Sequence, residues 1–192
     1  MQFVKKNNVN FIPNYDETRE EPMTLPTLFP NLLCNPNTGI GVAIACNWLP
    51  HNLNEVATAI YDYLDGKEPT LPGPDFPTGG MIINKNDIPA IMKSGKGSVK
   101  IRGKYKIEDN NIVFYEIPYG VITEELMNEI GATADEGKIN GIKNIRNESN
   151  RKGFRLVIEC EKGASIATII NLLFKETSLQ TTISYNQVGL VD

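Results

Sequence analysis

Histidine and cysteine are scarce in this chain, and their scarcity excludes much of metal and nucleophile chemistry. One histidine and three cysteines occur among 192 residues. The cysteines, Cys34, Cys46 and Cys160, are odd in number and lack CxxC spacing. This pattern indicates reduced thiols, without a disulfide framework or a metal site. With a single histidine, zinc centres built on several histidines are close to excluded. Serine and histidine do not occur together in a nucleophile elbow, which disfavours a Ser–His–Asp triad.

Long apolar runs are also absent. No segment approaches the roughly 20 apolar residues that cross a bilayer, and Met1–Lys6 does not resemble the start of a signal peptide. The hydrophobic fraction of 41% and the charged fraction of 22% are typical of a soluble globular protein. We expect a cytoplasmic protein without membrane contact, with one sizeable core or two small subdomains.

The common catalytic motifs are missing as well. Gly39-x-Gly41 lacks the third glycine of a dinucleotide-binding turn, and the chain has no Walker lysine motif. The acidic residues between Asp16 and Glu21 have no apolar surroundings in the sequence that would raise a pKa for acid–base catalysis. From the residues alone, the chain is an α/β protein with a modest case for phosphate contacts.

That case rests on a concentration of positive charge. The net charge is −4, yet six of the nineteen Lys and Arg residues fall within residues 93–106. Lys100, Arg102, Lys104 and Lys106 alternate with other residues, which places the four charges on one face of a strand. Their spacing of roughly 6.5–7 Å suits a phosphate backbone, and the preceding Gly95-Lys96-Gly97 would leave backbone N–H groups available to phosphate. The alternative is the solvated outer face of a sheet.

The segment from Asn31 to Leu53 contains an isoleucine with little neighbouring bulk. Pro36, Gly39 and Gly41 favour a tight turn with positive φ angles, and Ile40 stands between the two glycines. An apolar side chain on such a thin backbone can act as a wedge between base pairs. The alternative is a buried turn in which Ile40 fills the core.

The remaining pattern predicts the order of helices and strands. Four prolines punctuate residues 1–30, which we expect to run extended. A helix is predicted from Asn52 to Leu64, capped by Asn52 or Asn54, and a proline-rich loop from Glu68 to Gly80. From Asn111 onward the β-α-β-β-α-β order of a ferredoxin-like unit is predicted. Its six elements are Ile112–Ile117, Glu124–Ala134, Ile139–Ile145, Phe154–Cys160, Ser165–Phe174 and Leu179–Tyr185.

Eight short motifs, spread over nearly the whole chain, resemble those of one protein family. They are Asn14-Tyr15-Asp16-x-Thr18, Phe29-Pro30-Asn31-Leu32-Leu33, Thr38-Gly39-Ile40, Pro50-His51-Asn52-Leu53, Gly73-Pro74-Asp75-Phe76-Pro77-Thr78, Gly95-Lys96-Gly97, Glu116-Ile117-Pro118-Tyr119 and Arg146-Asn147-Glu148-Ser149. In these motifs the chain resembles the A subunit, the DNA breakage-reunion subunit, of the bacterial type IIA topoisomerases. The motifs do not distinguish DNA gyrase from topoisomerase IV.

The resemblance implies an α+β fold, that of the tower domain, with a mixed sheet and a C-terminal ferredoxin-like part. Residues 1–30 would be an extended connector from the winged-helix region. Residues 31–110 would be the DNA-contacting part of the tower domain, and residues 111–192 its ferredoxin-like part. The implied function is to bind and bend the gate DNA of an ATP-dependent enzyme that breaks both strands, passes a second duplex and reseals the break.

The resemblance also implies six DNA-binding residues. Ile40 matches the isoleucine that inserts between base pairs in this family. The other five match positions near the DNA backbone: Asn35, Thr38, Thr78, Lys96 and Arg102. Contacts of this kind position DNA without reading its sequence.

The nucleophilic tyrosine of the family has no match. It follows an arginine there, whereas this chain has no Arg-Tyr pair and Tyr15 belongs to a different motif. We therefore expect a fragment that holds no catalytic residue, metal or cofactor and that cleaves nothing alone. Mg²⁺ and ATP are expected on the partner B subunit. The implied partners are double-stranded DNA, a second copy of the A subunit in a homodimer, and the ATPase (B) subunit.

One segment departs from the family pattern. Val121-Ile122-Thr123-Glu124 stands where many relatives carry Asn-Lys, so the lysine that can reach DNA in those relatives has no counterpart here. Two other function classes stay open from the sequence. One is a non-enzymatic DNA-binding or architectural protein with a tower-like fold, and the other is a phosphate-binding metabolic enzyme.

Overall fold

The computed structural model describes residue 4, residues 8–41 and residues 44–189. Its strands are β1 (Phe11–Pro13), β2 (Glu20–Pro22), β3 (Asn37–Ile40), β4 (Ala45–Trp48), β5 (Met81–Ile82), β6 (Lys96–Arg102), β7 (Lys104–Glu108), β8 (Asn111–Glu116), β9 (Ile142–Asn147), β10 (Leu156–Cys160) and β11 (Gln180–Asn186). Its helices are α1 (Asn31–Cys34), α2 (Leu53–Leu64), α3 (Ile88–Ser94), α4 (Thr123–Asp135) and α5 (Ile166–Glu176), with a 3₁₀ turn at Lys85–Asp87. Among the residues described, no helix has both the length and the apolar character to cross a membrane.

The N-terminal region contains a hairpin, so the prediction of an extended run over residues 1–30 is wrong for this part. β1 and β2 pair antiparallel. Asp16 holds the turn, because its Oδ1 accepts hydrogen bonds from the backbone N–H of Thr18 at 3.1 Å and from the Thr18 hydroxyl at 2.6 Å. Asn14 Oδ1 accepts from the backbone N–H of Arg19 at 3.1 Å. Pro13 fits here because both strands of a two-stranded ribbon are edges.

Two larger sheets contain the other strands. One has the strand order β7-β8-β10-β9, and the other has the order β3-β4-β11-β6-β5. Helices combined with these sheets confirm the α+β class. Every pairing in both sheets is antiparallel, so the predicted mixed sheet is wrong.

The six elements predicted from Asn111 onward are present in the predicted order, but the last strand does not complete a ferredoxin-like sheet. In that fold the fourth strand lies beside the first, which is β8 here. β7 occupies that position, because it forms a short hairpin with β8 in which Glu108 lies opposite Asn111. Such local pairing closes only a small loop and costs little entropy. β11 instead pairs with β6 along its whole length.

The larger core lies between the four-stranded sheet and helices α4 and α5. Alternate residues of the central strands point to this side. The main buried contributors are Ile112 and Phe114 from β8, Leu156 and Ile158 from β10, Leu126 and Ile130 from α4, and Ile169 and Leu173 from α5. Burying one such side chain contributes about 1.5–3 kcal/mol, so this core carries much of the stability of the C-terminal half.

The opposite face of the same sheet is covered by charged side chains. Val113 and Val157 are buried there, in a cross-strand row that continues to Lys106 on one side and Arg146 on the other. The aliphatic stems of such long side chains cover apolar surface while their charges stay in water. A chain of ion pairs runs across this face in the order Lys106, Glu108, Arg155, Glu148, Arg146 and Glu159.

The second core lies on one side of the five-stranded sheet. Val99 and Ile101 of β6 are fully buried, and Tyr185 of β11 is 2% exposed. They pack with Ile88 and Ile91 of α3. This core therefore fixes which side of the sheet faces the protein and which side faces solvent.

Gly103 joins the two sheets. It is the single residue between β6, in the five-stranded sheet, and β7, in the four-stranded sheet. Its backbone N–H donates to the Leu179 carbonyl at 2.8 Å. A Cβ at this position would lie 2.9 Å from the backbone oxygen of Glu116. The two sheets meet so closely here that a side chain does not fit.

We expect Gly103→Ala to destabilise the protein by about 1–3 kcal/mol, because the added methyl group must displace backbone. Gly131→Ala is the control, since a Cβ at Gly131 in α4 meets nothing within 4 Å. That substitution should stabilise by about 0.5–1 kcal/mol through helix propensity. Urea unfolding of the two variants measures both effects. Equal stability of Gly103→Ala and the original chain would contradict the close approach.

The ion pairs predict a pH dependence. Hydrogen bonds from Arg155 and Lys106 lower the pKa of Glu108 from 4.5 to about 2. A carboxyl group with a lowered pKa in the folded state stabilises above its unfolded pKa, and the effect is lost as pH falls through the folded pKa. Between pH 4.5 and 2, the original chain should therefore lose stability more steeply than Glu108→Gln. Denaturation midpoints at several pH values measure this slope, and parallel curves would contradict it.

Candidate nucleic-acid interface

The register of the five-stranded sheet brings four polar residues into one cross-strand row. Thr38 lies opposite Asn47, Asn47 opposite Asn186, and Asn186 opposite Lys96. Residues directly opposite each other in antiparallel strands point to the same side. With neighbouring strands about 4.8 Å apart, this row spans about 14 Å from Thr38 to Lys96.

The two-residue period of each strand extends this row into a surface. The intervening residues, such as Val99, Ile101 and Tyr185, point into the core, so the residues of the row point away from it. We call this side of the sheet the polar face. By register it consists of Thr38, Ile40, Ala45, Asn47, Met81, Lys96, Ser98, Lys100, Arg102, Gln180, Thr182, Ser184 and Asn186.

Ile40 is the prominent apolar residue of the polar face. It ends β3, on the outer edge of the sheet, and its side chain is 90% exposed. The alternative in which Ile40 fills the core is therefore wrong. The hairpin continues beyond Ile40 through a hydrogen bond from the Gly41 N–H to the Ile44 carbonyl at 2.7 Å. An isoleucine held on hydrogen-bonded backbone and directed into solvent has the geometry of a wedge.

The glycines beside Ile40 have a different function from the predicted one. Neither Gly39 nor Gly41 adopts a positive φ. A Cβ on Gly39 would lie 2.8 Å from Cys46 Sγ on the facing strand. Gly39 is thus required for the close packing of Cys46 against β3, on the side opposite Ile40.

Two lysines of β6 lie on the polar face with free charges. Within the described part of the chain, Lys96 and Lys100 are exposed and form no ion pair. The predicted phosphate nest at Gly95-Lys96-Gly97 is wrong, because its first two N–H groups already donate within the protein, to the Ile91 carbonyl and to Ser94 Oγ. Gly95 instead ends α3 in the left-handed conformation.

Gly103 divides the predicted basic stripe in two. Lys104 and Lys106 lie in the other sheet, where they form ion pairs with Glu116 at 2.9 Å and with Glu108 at 2.7 Å. The single continuous stripe from Lys100 to Lys106 is therefore wrong.

Arg102 lies on the polar face but is held by the protein itself. Its Nε donates to Gln180 Oε1 at 2.9 Å, and its guanidinium lies 4.4 Å from the centre of the Phe174 ring. Arg102 lies six positions along β6 from Lys96, which is a distance of roughly 20 Å. Its contact with DNA stays a prediction.

The two other predicted contacts lie off the sheet rows. Asn35 is exposed just before β3, and its amide donates to Asn31 Oδ1. Thr78 is exposed in the loop before β5, on the opposite edge of the sheet from β3. Gly80 in that loop donates to Glu116 Oε2 at 2.6 Å, so Thr78 belongs near the junction of the sheets. The structure thus groups Thr38, Ile40 and Lys96 and separates Thr78 from them.

The end of β4 and the segment after it support the hairpin. Trp48 Nε1 donates to the Val188 carbonyl at 3.3 Å, and Leu49 is 1% exposed. His51 is also buried, with Nδ1 2.9 Å from the Gly73 carbonyl oxygen. Burial lowers the pKa of His51, so the imidazole is neutral and acts here as a structural link. Asn52 caps α2, as predicted, by accepting from the Asn54 N–H at 3.0 Å.

Groups suited to catalysis are not assembled at this surface. Burial raises the pKa of Tyr185 to about 12, and its ring lies in the core. Tyr15 is fully exposed at the turn of the β1–β2 hairpin. Across the residues described, no group of three or more His, Cys, Asp or Glu side chains is arranged to hold a metal ion.

Sequence reasoning missed Asn47, Ser184 and Asn186. Asn47 lies in the segment selected for Ile40, where its polarity among small apolar residues was a usable signal. Ser184 and Asn186 carry no such signal, because their position depends on the pairing of β11 with β6. That pairing joins residues about 80 positions apart in the chain, such as Gln180 and Arg102.

Comparison with known proteins agrees with the resemblance stated from the motifs. The family model for the A subunit of DNA gyrase/topoisomerase IV matches residues 1–192. The chain is similar to the DNA gyrase A subunit of Lawsonia intracellularis, with 42% identity over 98% of this chain and 24% of that protein. It is also similar to the DNA gyrase A subunit of Clostridium acetobutylicum, with 43% identity over 98% of the chain and 24% of the relative.

A third relative covers the whole chain. It is the DNA gyrase A subunit of Ureaplasma parvum, 43% identical over 100% of this chain and 24% of its own length. The chain therefore spans about a quarter of the length of the curated relatives it matches.

Proposed function

Because this chain belongs to the family of DNA gyrase/topoisomerase IV A subunits, we propose that it binds and bends the DNA gate of a type IIA topoisomerase. One observation carries the proposal. Ile40, 90% exposed, lies on the same face of one sheet as Lys96 and Lys100, which form no ion pair with any described residue. An apolar wedge beside a cationic strand matches the two requirements of a protein that kinks DNA.

The lysines provide the positioning contacts. Lys96 and Lys100 lie four residues apart on β6, which is roughly 13 Å. Ammonium groups at that distance reach separate phosphates along a duplex. Such contacts fix the register of the DNA on the polar face but carry no sequence information. Thr38, Asn35, Thr78 and Arg102 would add further backbone contacts.

Ile40 provides the bending contact. Its β-branched side chain has few rotamers, so little conformational entropy is lost when it enters a base step. Opening the stack costs a few kcal/mol, and the bend recovers this by bringing more backbone onto the protein. Because Ile40 lies at the edge of the sheet and the lysines lie three strands away, the bent duplex crosses the polar face.

In this proposal the chain is part of the tower domain. The five-stranded sheet contacts DNA, and the four-stranded sheet with α4 and α5 supports it as a modified ferredoxin-like unit. The boundary between residues 110 and 111 divides the chain mainly in sequence. In space the two parts share a sheet, since β11 from the C-terminal part completes the five-stranded sheet that contacts DNA in this proposal. Residues 1–30, with their hairpin, connect to the winged-helix region.

The chemistry of strand breakage belongs to other parts of the enzyme in this proposal. The nucleophilic tyrosine lies outside this chain, and Mg²⁺ and ATP bind to the partner B subunit. The chain bends the gate DNA and holds it beside the catalytic tyrosine, within a cytoplasmic assembly of an A-subunit homodimer and the ATPase (B) subunit on duplex DNA. The chain alone cleaves nothing.

Binding should depend on salt through the two lysines. The double variant Lys96→Gln, Lys100→Gln removes two phosphate contacts, so the slope of log K against log salt should become about 1.8 less steep. Fluorescence anisotropy of a short duplex at several salt concentrations measures this slope. Lys143→Gln is the control, because Lys143 is exposed on β9 in the other sheet. An equal change in both variants would contradict the assignment of the polar face.

Bending should depend on Ile40. In the protein–DNA complex, Ile40→Ala should reduce the bend that energy transfer between dyes at the duplex ends reports, while the salt slope stays the same. Its own folding stability should stay within about 0.5 kcal/mol of the original, since the side chain is exposed. Ile44→Ala is the matched control, because Ile44 is also exposed but precedes the strand partner of Ile40. An unbent duplex with the original chain would overturn the proposed function.

A further inference from the structure

The β3–β4 hairpin, which carries Ile40, is joined to the rest of its sheet by very little backbone pairing. Among the residues described, β4 and β11 share one register pair, Asn47 with Asn186. By comparison, β11 and β6 share seven pairs and β3 and β4 share four. A hairpin held by one pair is not fixed in angle by the backbone ladder, so other groups must hold it.

Two side-chain amides take the place of the missing ladder. Asn47 Nδ2 on β4 donates to the backbone carbonyl of Ser184 on β11 at 2.6 Å, and lies 3.3 Å from the Ser184 hydroxyl. Asn186 Nδ2 on β11 donates in the opposite direction, to the backbone carbonyl of Ala45 on β4. Each strand therefore holds the backbone of the other. We call these two residues the amide clasp.

The amide clasp also reaches the strand of the wedge. Asn47 Oδ1 accepts a hydrogen bond from the Thr38 hydroxyl at 3.2 Å, and Thr38 is two residues before Ile40 on the same face. On the other side, Asn186 lies opposite Lys96. Side-chain hydrogen bonds of the clasp thus link β3 and β4 to β11, and β11 pairs with β6 through its backbone.

One polar atom of Asn186 makes no hydrogen bond within the described part of the chain. Its Oδ1 is buried and has no hydrogen-bond partner among the described residues. A buried acceptor without a partner is destabilising, so stability alone does not explain an asparagine here. The Nδ2 donor of this amide is the group that binds the hairpin. Orientation of the hairpin accounts for the presence of an asparagine at this position.

We propose that Asn47 and Asn186 are positioning residues that set the angle between the wedge hairpin and β6. With the clasp closed, Ile40 meets a base step while Lys96 and Lys100 contact the backbone of the same duplex. The inference rests on the proposed function, because it assigns to these residues the geometry of the bend. Neither residue has to touch DNA for this.

The test is bending measured separately from binding. Asn47→Ala removes both the donor to Ser184 and the acceptor for Thr38, and a lost hydrogen bond of this type shifts an equilibrium by about fivefold. We expect the bent fraction of saturated complexes to fall by about that factor, with the salt slope of binding unchanged. Asn186→Ala should act in the same direction. Asn128→Ala is the control, because Asn128 is exposed on α4 and lies outside the polar face.

A double variant distinguishes positioning from general support. If Asn47 acts through the wedge, Ile40→Ala combined with Asn47→Ala should bend DNA no less than Ile40→Ala alone. Additive losses, or a reduced salt slope in Asn47→Ala, would mean that Asn47 supports the whole sheet, and would overturn the inference. Asn47→Ser, which keeps a small polar group, serves if Asn47→Ala does not fold.

The outcomes also separate this inference from the proposed function. An original chain that binds DNA without bending it contradicts the proposed function itself. An original chain that bends DNA, with Asn47→Ala and Asn186→Ala bending it equally well, contradicts the positioning assignment alone.

Discussion

The contact between Gly103 and the backbone of Glu116 is the constraint on which the two-sheet arrangement depends. At this point one run of chain leaves the five-stranded sheet as β6 and enters the four-stranded sheet as β7. A Cβ at Gly103 would lie 2.9 Å from the Glu116 oxygen, so the sheets join here without room for a side chain. The junction leaves Lys96 and Lys100 on the five-stranded sheet. Lys104 and Lys106 lie on the four-stranded sheet, where they form ion pairs.

The two sheets have different kinds of support, and this suits different tasks. The four-stranded sheet has a helix-packed core on one side and a chain of ion pairs on the other. The five-stranded sheet is packed on one side only, and its outer hairpin is held mainly by side-chain amides. The outer hairpin therefore has less backbone support than the strands of the four-stranded sheet. In the proposed function, this hairpin is the part that meets the bent duplex.

The sequence predicted local features well and pairing poorly. Asn52 as a helix cap and the order of elements after Asn111 follow from spacing within a few residues, and both are present. The pairing of β11 with β6 joins residues about 80 positions apart, and no local pattern encodes it. The ferredoxin-like closure failed for this reason. The continuous basic stripe failed because the chain passes at Gly103 from one sheet to the other. Exposure of Ile40 was undecided from its glycine neighbours, because Gly39 serves the packing of Cys46.

The near-complete exposure of Ile40 has a thermodynamic consequence. Water around an apolar side chain is released when that side chain is buried, and near room temperature this release is an entropic gain with a negative heat-capacity change. The lysines of β6, by contrast, release counterions, whose contribution depends on salt. The contributions of Ile40 and of the β6 lysines therefore depend on different physical variables. In the proposed function, warming favours insertion of Ile40 into the duplex, whereas ionic strength governs how firmly the lysines hold it.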